Sequence, residues 1–128
     1  MKLKYFTLFA VTFISLQLID FIIFSFALGE INSGFIFGIF SGNFLAESLA
    51  IILLILLYWM TPSTKTAILA FCLLVASVAS NIFDRFAYGG VVDYIKIWFV
   101  PTFNIADILI VISVITIFTQ LIKKSHQE

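Results

Sequence analysis

The chain has 128 residues, of which 62% are hydrophobic and 11% charged, and its seven basic and seven acidic side chains sum to zero net charge. A domain this small has much surface for its volume, and so few charges cannot cover it, which excludes a soluble globular enzyme as the default and a disordered tail with it. Neutral charge gives no footing for nucleic acid, so no nucleic-acid partner is expected, and an integral membrane protein of one domain, residues 1–128, remains.

A membrane helix needs about 20 apolar residues at 1.5 Å rise each. Four segments qualify, at about 5–28, 43–60, 66–83 and 104–122, each apolar around its whole circumference. The reading is therefore an all-α membrane protein with four transmembrane helices. Lys2 and Lys4 precede the first segment as they would in a signal peptide. Its apolar run exceeds the usual 7–15 residues of such a peptide, so it reads as a retained span.

Asn32-Ser33-Gly34-Phe35-Ile36-Phe37-Gly38 mixes glycine with aromatics and suits a twisted hairpin or an interfacial loop. Between the second and third spans, Pro62 punctuates a short hairpin that ends at Lys65. Cys72, the single cysteine, has no partner for a disulfide and reads as a small buried hydrophobe. Beyond the third span, Gly89-Gly90 marks a turn, and Val91-Val92-Asp93-Tyr94 reads as a short strand. Trp98, Phe99 and Phe103 suit an aromatic belt, Pro101 stands just ahead of the fourth helix, and His126 lies in a solvated tail.

With the N-terminus inside, the cytoplasmic segments hold Lys2, Lys4, Lys65, Lys123 and Lys124, and the outside holds Arg85 and Lys96. That asymmetry places both termini in the cytoplasm. Depth follows from helical rise. Asp20, Asp84 and Asp107 come out about 24–28 Å above the inner face and Glu47 about 21 Å, in a hydrocarbon core about 30 Å thick. These four acids collect near the outer boundary, each on a different helix, and Asp93 in the outer loop can drop onto the same spot. The plainer alternative is that each acid marks a helix end in water, which weighs most for Glu47. Ionisable groups in spans are expensive and usually face a cavity or a partner, so four at one level suggest a polar site opening outward.

The neighbours of these acids follow helical spacing. Asn81, Asp84 and Arg85 share one face, and Arg85 can hold a nearby carboxylate. Asn104 and Asp107 share another face, and Asn104 also reads as an N-cap. Carboxylates alone could bind a hard cation, but two of them close together suit another chemistry that needs no cofactor and no metal. Like charges cannot both ionise easily, so one keeps a proton and the other takes one from water. Asp93 and Asp107, one from a loop and one from a helix end, are the best pair for such aspartyl peptidase chemistry.

Three segments, Asn81-Ile82-Phe83-Asp84-Arg85, Gly90-Val91-Val92-Asp93-Tyr94 and Phe103-Asn104-Ile105-Ala106-Asp107, resemble the signature of the lipoprotein signal peptidase (signal peptidase II) family, N-x-x-D-R, V-V/I-D-F/Y and F-N-x-A-D. Upstream, Asn32-x-Gly34-x-x-Phe37-Gly38 resembles the family's N-x-G-x-A-F stretch, and Asp20 resembles the Asp of its first-helix L-D-Q-x-x-K motif. The resemblance implies four transmembrane helices with a small extracytoplasmic β-cradle and a short interfacial helix. It implies Asp93 and Asp107 as catalytic aspartates, with Asn32, Gly34, Asn81, Arg85 and Asn104 binding substrate and Asp20 and Asp84 supporting. The implied substrate is a prolipoprotein whose lipobox Cys carries a diacylglyceryl group, cut just before that Cys at the outer face of the bacterial cytoplasmic membrane. Globomycin-type peptides would inhibit. Membrane lipids are the other expected partners, and a site built within one chain implies a monomer. The chain departs from the pattern at Phe21, at Phe24 in place of the family Lys, and at Ser80 in place of Gly. A non-catalytic protein that binds lipidated signal peptides is the competing reading. A proton or cation conduit is disfavoured, because the inner halves of the spans are apolar.

Overall fold

The structure, a computed structural model, describes residues 2–35, 40–41 and 45–126. Ile36, Phe37, Gly38, Gly42, Asn43 and Glu128 of the sequence reading lie outside the described residues. Helix α1 runs Lys2–Ser25, α2 Leu45–Met60, α3 Lys65–Tyr88 and α4 Ile105–Ser125. Short strands occupy the outer connections, namely β1 Glu30–Asn32, β2 Gly34–Phe35, β3 Phe40–Ser41, β4 Val91–Asp93, β5 Ile95–Ile97 and β6 Val100–Phe103. The described residues include no short interfacial helix.

Helices α1, α3 and α4 are long and apolar enough to cross a membrane, while the apolar part of α2, Glu47–Met60, is shorter. Helix α3 outruns the expected boundary at residue 83 and carries Asp84 and Arg85 as helical residues before it ends at Tyr88. The stop is Gly89, whose φ of 78° lies in the left-handed region that glycine enters without a Cβ penalty. At its other end, Thr64 caps the helix by accepting from Ala67 N–H at 3.2 Å.

Helix α3 is the centre of the bundle, packed most extensively on α4 and then on α1. Its buried face is made of small residues, with Ala67, Ala70, Ala76, Ser77 and Ser80 flanking Leu74. Small side chains let backbones approach closely, which is how helices associate where lipid removes the hydrophobic drive between them. Leu74 and Ile117 fill the remaining space. The outward faces of α1, α2 and α4 expose large aliphatic and aromatic residues, as lipid-facing surfaces do.

The outer strands pair as three antiparallel two-stranded sheets, β1 with β4, β2 with β3 and β5 with β6. The expected strand at 91–94 is β4. Its pairing with β1 explains Gly90, where a Cβ would stand 2.8 Å from Asn32 O and 2.8 Å from the Ile31 side chain. Pro101 stands ahead of α4, within β6, and two-stranded edges tolerate its missing N–H.

Candidate active site

The site forms where β4 meets the outer ends of α1, α3 and α4. Asp84, on the last turns of α3, is fully buried at 0% exposure. One carboxylate oxygen, Oδ2, accepts from Val92 N–H at 3.2 Å, which fastens β4 to the bundle. The other, Oδ1, accepts from Gln17 Nε2 of α1 at 3.0 Å. Gln17 Nε2 also lies 2.9 Å from Ser80 Oγ and 3.3 Å from Ser80 O.

Strand register then sets Asp93. In the β1–β4 ladder Asn32 stands opposite Val91, and Glu30 opposite Asp93. Side chains alternate along a strand, so Asn32 shares a face with Val91 and Asp93 and sits diagonal to the latter. Asn32 Nδ2 donates to Asp93 Oδ2 at 2.9 Å, while Asp93 Oδ1 is buried with no hydrogen-bond partner among the described residues. Asp93 is only 3% exposed. Burial pushes its pKa up to about 6, and the nearby Asp107 and Asp84 charges push the same way, against the Asn32 bond and the Arg85 charge.

Asp107 is placed by the start of α4. Asn104 Oδ1 accepts from Asp107 N–H at 2.9 Å, and Asp107 Oδ2 accepts from Asn104 N–H at 3.1 Å, a reciprocal capping box. Asp107 Oδ1 is left to accept from Asn81 Nδ2 of α3 at 2.9 Å. Asn104 is therefore both a cap and a site residue, because its Nδ2 donates to Asn81 Oδ1 at 2.9 Å and lies 3.4 Å from Val92 O. Each of the two aspartates is thus held by a side-chain amide from another element.

The remaining expected residues separate. Asp20 is buried at 1% exposure beside the Ser80 and Tyr94 hydroxyls, within electrostatic reach of Asp84 and Asp93. Arg85 Nε lies 3.6 Å from Glu47 Oε1, so Glu47 is not simply a helix end in water. Gly34 pairs with Ser41 in the β2–β3 hairpin. The Phe24 and Tyr88 rings meet at a tilt of 33° with centroids 4.4 Å apart. Tyr94 OH lies 3.4 Å from the Ile105 N–H at the α4 start, and burial pushes its pKa up to about 12. On the rim, Glu30 pairs with Lys96 and accepts from Thr102 Oγ1 at 3.1 Å.

Sequence reasoning missed Gln17. Its signal was present, a lone amide in an apolar helix three residues before Asp20 and therefore on the same helical face.

Comparison with known proteins matches this architecture. The family described as Signal peptidase (SPase) II matches residues 2–123. The lipoprotein signal peptidase of Campylobacter jejuni is 38% identical over 89 residues, covering 67% of this chain and 57% of that protein. That of Clostridium acetobutylicum is 33% identical over 107 residues, covering 76% of this chain and 70% of that protein. The chain thus spans little more than half the length of the Campylobacter relative. A bacterial membrane enzyme solved by the in meso method at 2.3 Å superposes with a TM-score of 0.81 and 27% identity, covering 98% of this chain and 91% of that one. A second, solved at 1.9 Å, gives a TM-score of 0.72 at 27% identity, over 94% and 93% of the two chains. On this fold and this family match, the chain is a multi-pass membrane protein that belongs to the signal peptidase II family.

Proposed function

We propose that the chain is an aspartyl endopeptidase that removes signal peptides from prolipoproteins, cutting just before a lipobox Cys that carries a diacylglyceryl group. The carrying observation is the pair of amide-held carboxylates. Asp93 is held by Asn32 and Asp107 by Asn81, and the two are close enough for the Asp107 charge to raise the Asp93 pKa. A dyad of that kind shares one proton in its working state.

In this reading Asp93 is the general acid and Asp107 the general base. Water attacks the scissile carbonyl carbon as Asp107 takes its proton, and Asp93 protonates the carbonyl oxygen. The C–N bond then breaks as Asp107 returns its proton to the leaving nitrogen, while Asp93 recovers one from the tetrahedral hydroxyl. Asn81, Asn104 and Asn32 fix the dyad, Arg85 and Gly34 contribute to substrate binding, and Asp20 and Asp84 support the site from beneath. The excess of Lys in the inner segments orients both termini to the cytoplasm and the dyad to the outer face.

The test is a gel-shift assay of the purified protein with a diacylglyceryl prolipoprotein, with and without globomycin. Cleavage abolished by globomycin, by Asp93→Asn and by Asp107→Asn, with insertion intact, is expected. Wild-type cleavage in both variants, or binding without cleavage by the parent chain, overturns the reading.

A further inference from the structure

We infer that Gln17 is a positioning residue for the catalytic strand, acting through Asp84, an inference that rests on the peptidase reading above. Gln17 touches neither Asp93 nor Asp107. It stands at the far end of a series of hydrogen bonds that reaches Asp107 and Val92, the residue before Asp93. Its amide donates to Asp84 Oδ1 at 3.0 Å, and Asp84 Oδ2 accepts from Val92 N–H at 3.2 Å, one residue before Asp93. Val92 O in turn lies 3.4 Å from Asn104 Nδ2, which donates to Asn81, and Asn81 donates to Asp107.

The two oxygens of Asp84 explain why the first link matters. A carboxylate fixed at one oxygen only can rotate about its terminal bond, which is soft. Gln17 anchors Oδ1 and so aims Oδ2 at the strand. Gln17 is itself aimed, because Ser80 Oγ at 2.9 Å and Ser80 O at 3.3 Å receive the same amide group. Helix packing does not require Gln17. Leu16 is buried in the bundle, and Phe13 meets Phe83 edge-on at 6.0 Å, which already joins α1 to α3. An amide in a membrane helix is costly, and its retention here calls for a partner worth that cost.

The experiment uses the full chain in detergent with the lipidated precursor and compares wild type, Gln17→Met, Asp84→Asn, the double variant and Asp93→Asn. Gln17→Met should lower kcat about tenfold with KM unchanged, the scale of one lost hydrogen bond to a charged group. Amide exchange at Val92 should become about tenfold faster. In the Asp84→Asn background the same change should lower kcat less than about twofold, since coupled groups are non-additive. Gln17→Asn, one methylene too short to reach both acceptors, should reproduce the loss and serves if Gln17→Met does not fold. Wild-type kcat and Val92 protection in the Gln17 variants overturn the inference, as does an equal loss in the Asp84→Asn background. An inactive parent chain, or an active Asp93→Asn, instead overturns the peptidase reading, and Val92 exchange still decides whether Gln17 holds the strand.

Discussion

Asn32 and Asp93 sit diagonally across the β1–β4 ladder, and the Asn32 amide donates to one oxygen of the carboxylate at 2.9 Å while the other oxygen is buried without a partner among the described residues. In the proposed reaction this half-satisfied carboxylate is the proton carrier. One bond orients it, and burial keeps the proton on it over more of the pH range.

The first prediction concerns pH. With Asp93 as the proton carrier, kcat/KM should fall as pH rises through about 6, the value to which its pKa is pushed. Asn32 donates to the charged form and lowers that pKa, so Asn32→Leu should move the alkaline limb to higher pH, by about half to one unit. Arg85→Met should move it the same way, because the Arg85 charge also lowers the Asp93 pKa. A pH–rate profile of each variant measures both shifts, and a limb that moves downward contradicts the assignment.

A second prediction links activity to stability. The folded state raises the Asp93 pKa from 3.8 to about 6, so the stability this group contributes is full below pH 3.8 and is lost as pH rises through about 6. Asp93→Asn removes that cost. The variant should be more stable than wild type at pH 8, by on the order of 1 kcal/mol after allowance for solvent reaching the site, and should gain nothing at pH 4. Thermal unfolding in detergent at the two pH values checks the sign.

The amide network permits a separation of site from cap. Asn81→Leu removes the donor to Asp107 Oδ1 and leaves the capping box of α4 intact. If Asp107 reacts as proposed, it should cost about a hundredfold in kcat, as a small displacement of a reacting group does, and about 1 kcal/mol of stability, because the buried Asn104 Nδ2 loses its Asn81 acceptor. Thr64→Ala, at the cap of α3, should cost about 1 kcal/mol of stability at unchanged kcat. Asn104→Ala should lose both, and steady-state kinetics with melting curves sort the three.

Adjacent glycines should behave differently. At Gly89 an added Cβ meets nothing within 4 Å, so Gly89→Ala carries only the strain of φ 78°, about 1 kcal/mol. At Gly90 the Cβ would stand 2.8 Å from Asn32 O, which is backbone and cannot swing aside. Gly90→Ala should cost about 1–3 kcal/mol and also reduce kcat, because relieving the overlap moves Asn32 away from Asp93. Equal effects of the two substitutions would argue against β1–β4 register as the positioning element.

Most of the architecture could be read along the chain. Four apolar runs are long-wavelength features, and the levels of Asp20, Asp84 and Asp107 follow from counting residues at a constant rise. The turn at Gly89-Gly90, the short strand after it and the cap at Asn104 are local, so the residues that form them are neighbours in sequence. The partnerships are not local. Gln17 meets Asp84 across 67 residues, Asn32 meets Asp93 across 61 and Asn81 meets Asp107 across 26. Which residues meet depends on how each helix is rotated about its axis and on the register of β1 against β4. A helix that is apolar all round carries no stripe to mark its inward face, so the lone amide of Gln17 marked one side of α1 but not the residue it meets on α3. Packing of the small-residue face of α3 sets that rotation, and through it the acids that counting placed at one depth become a site with named bonds.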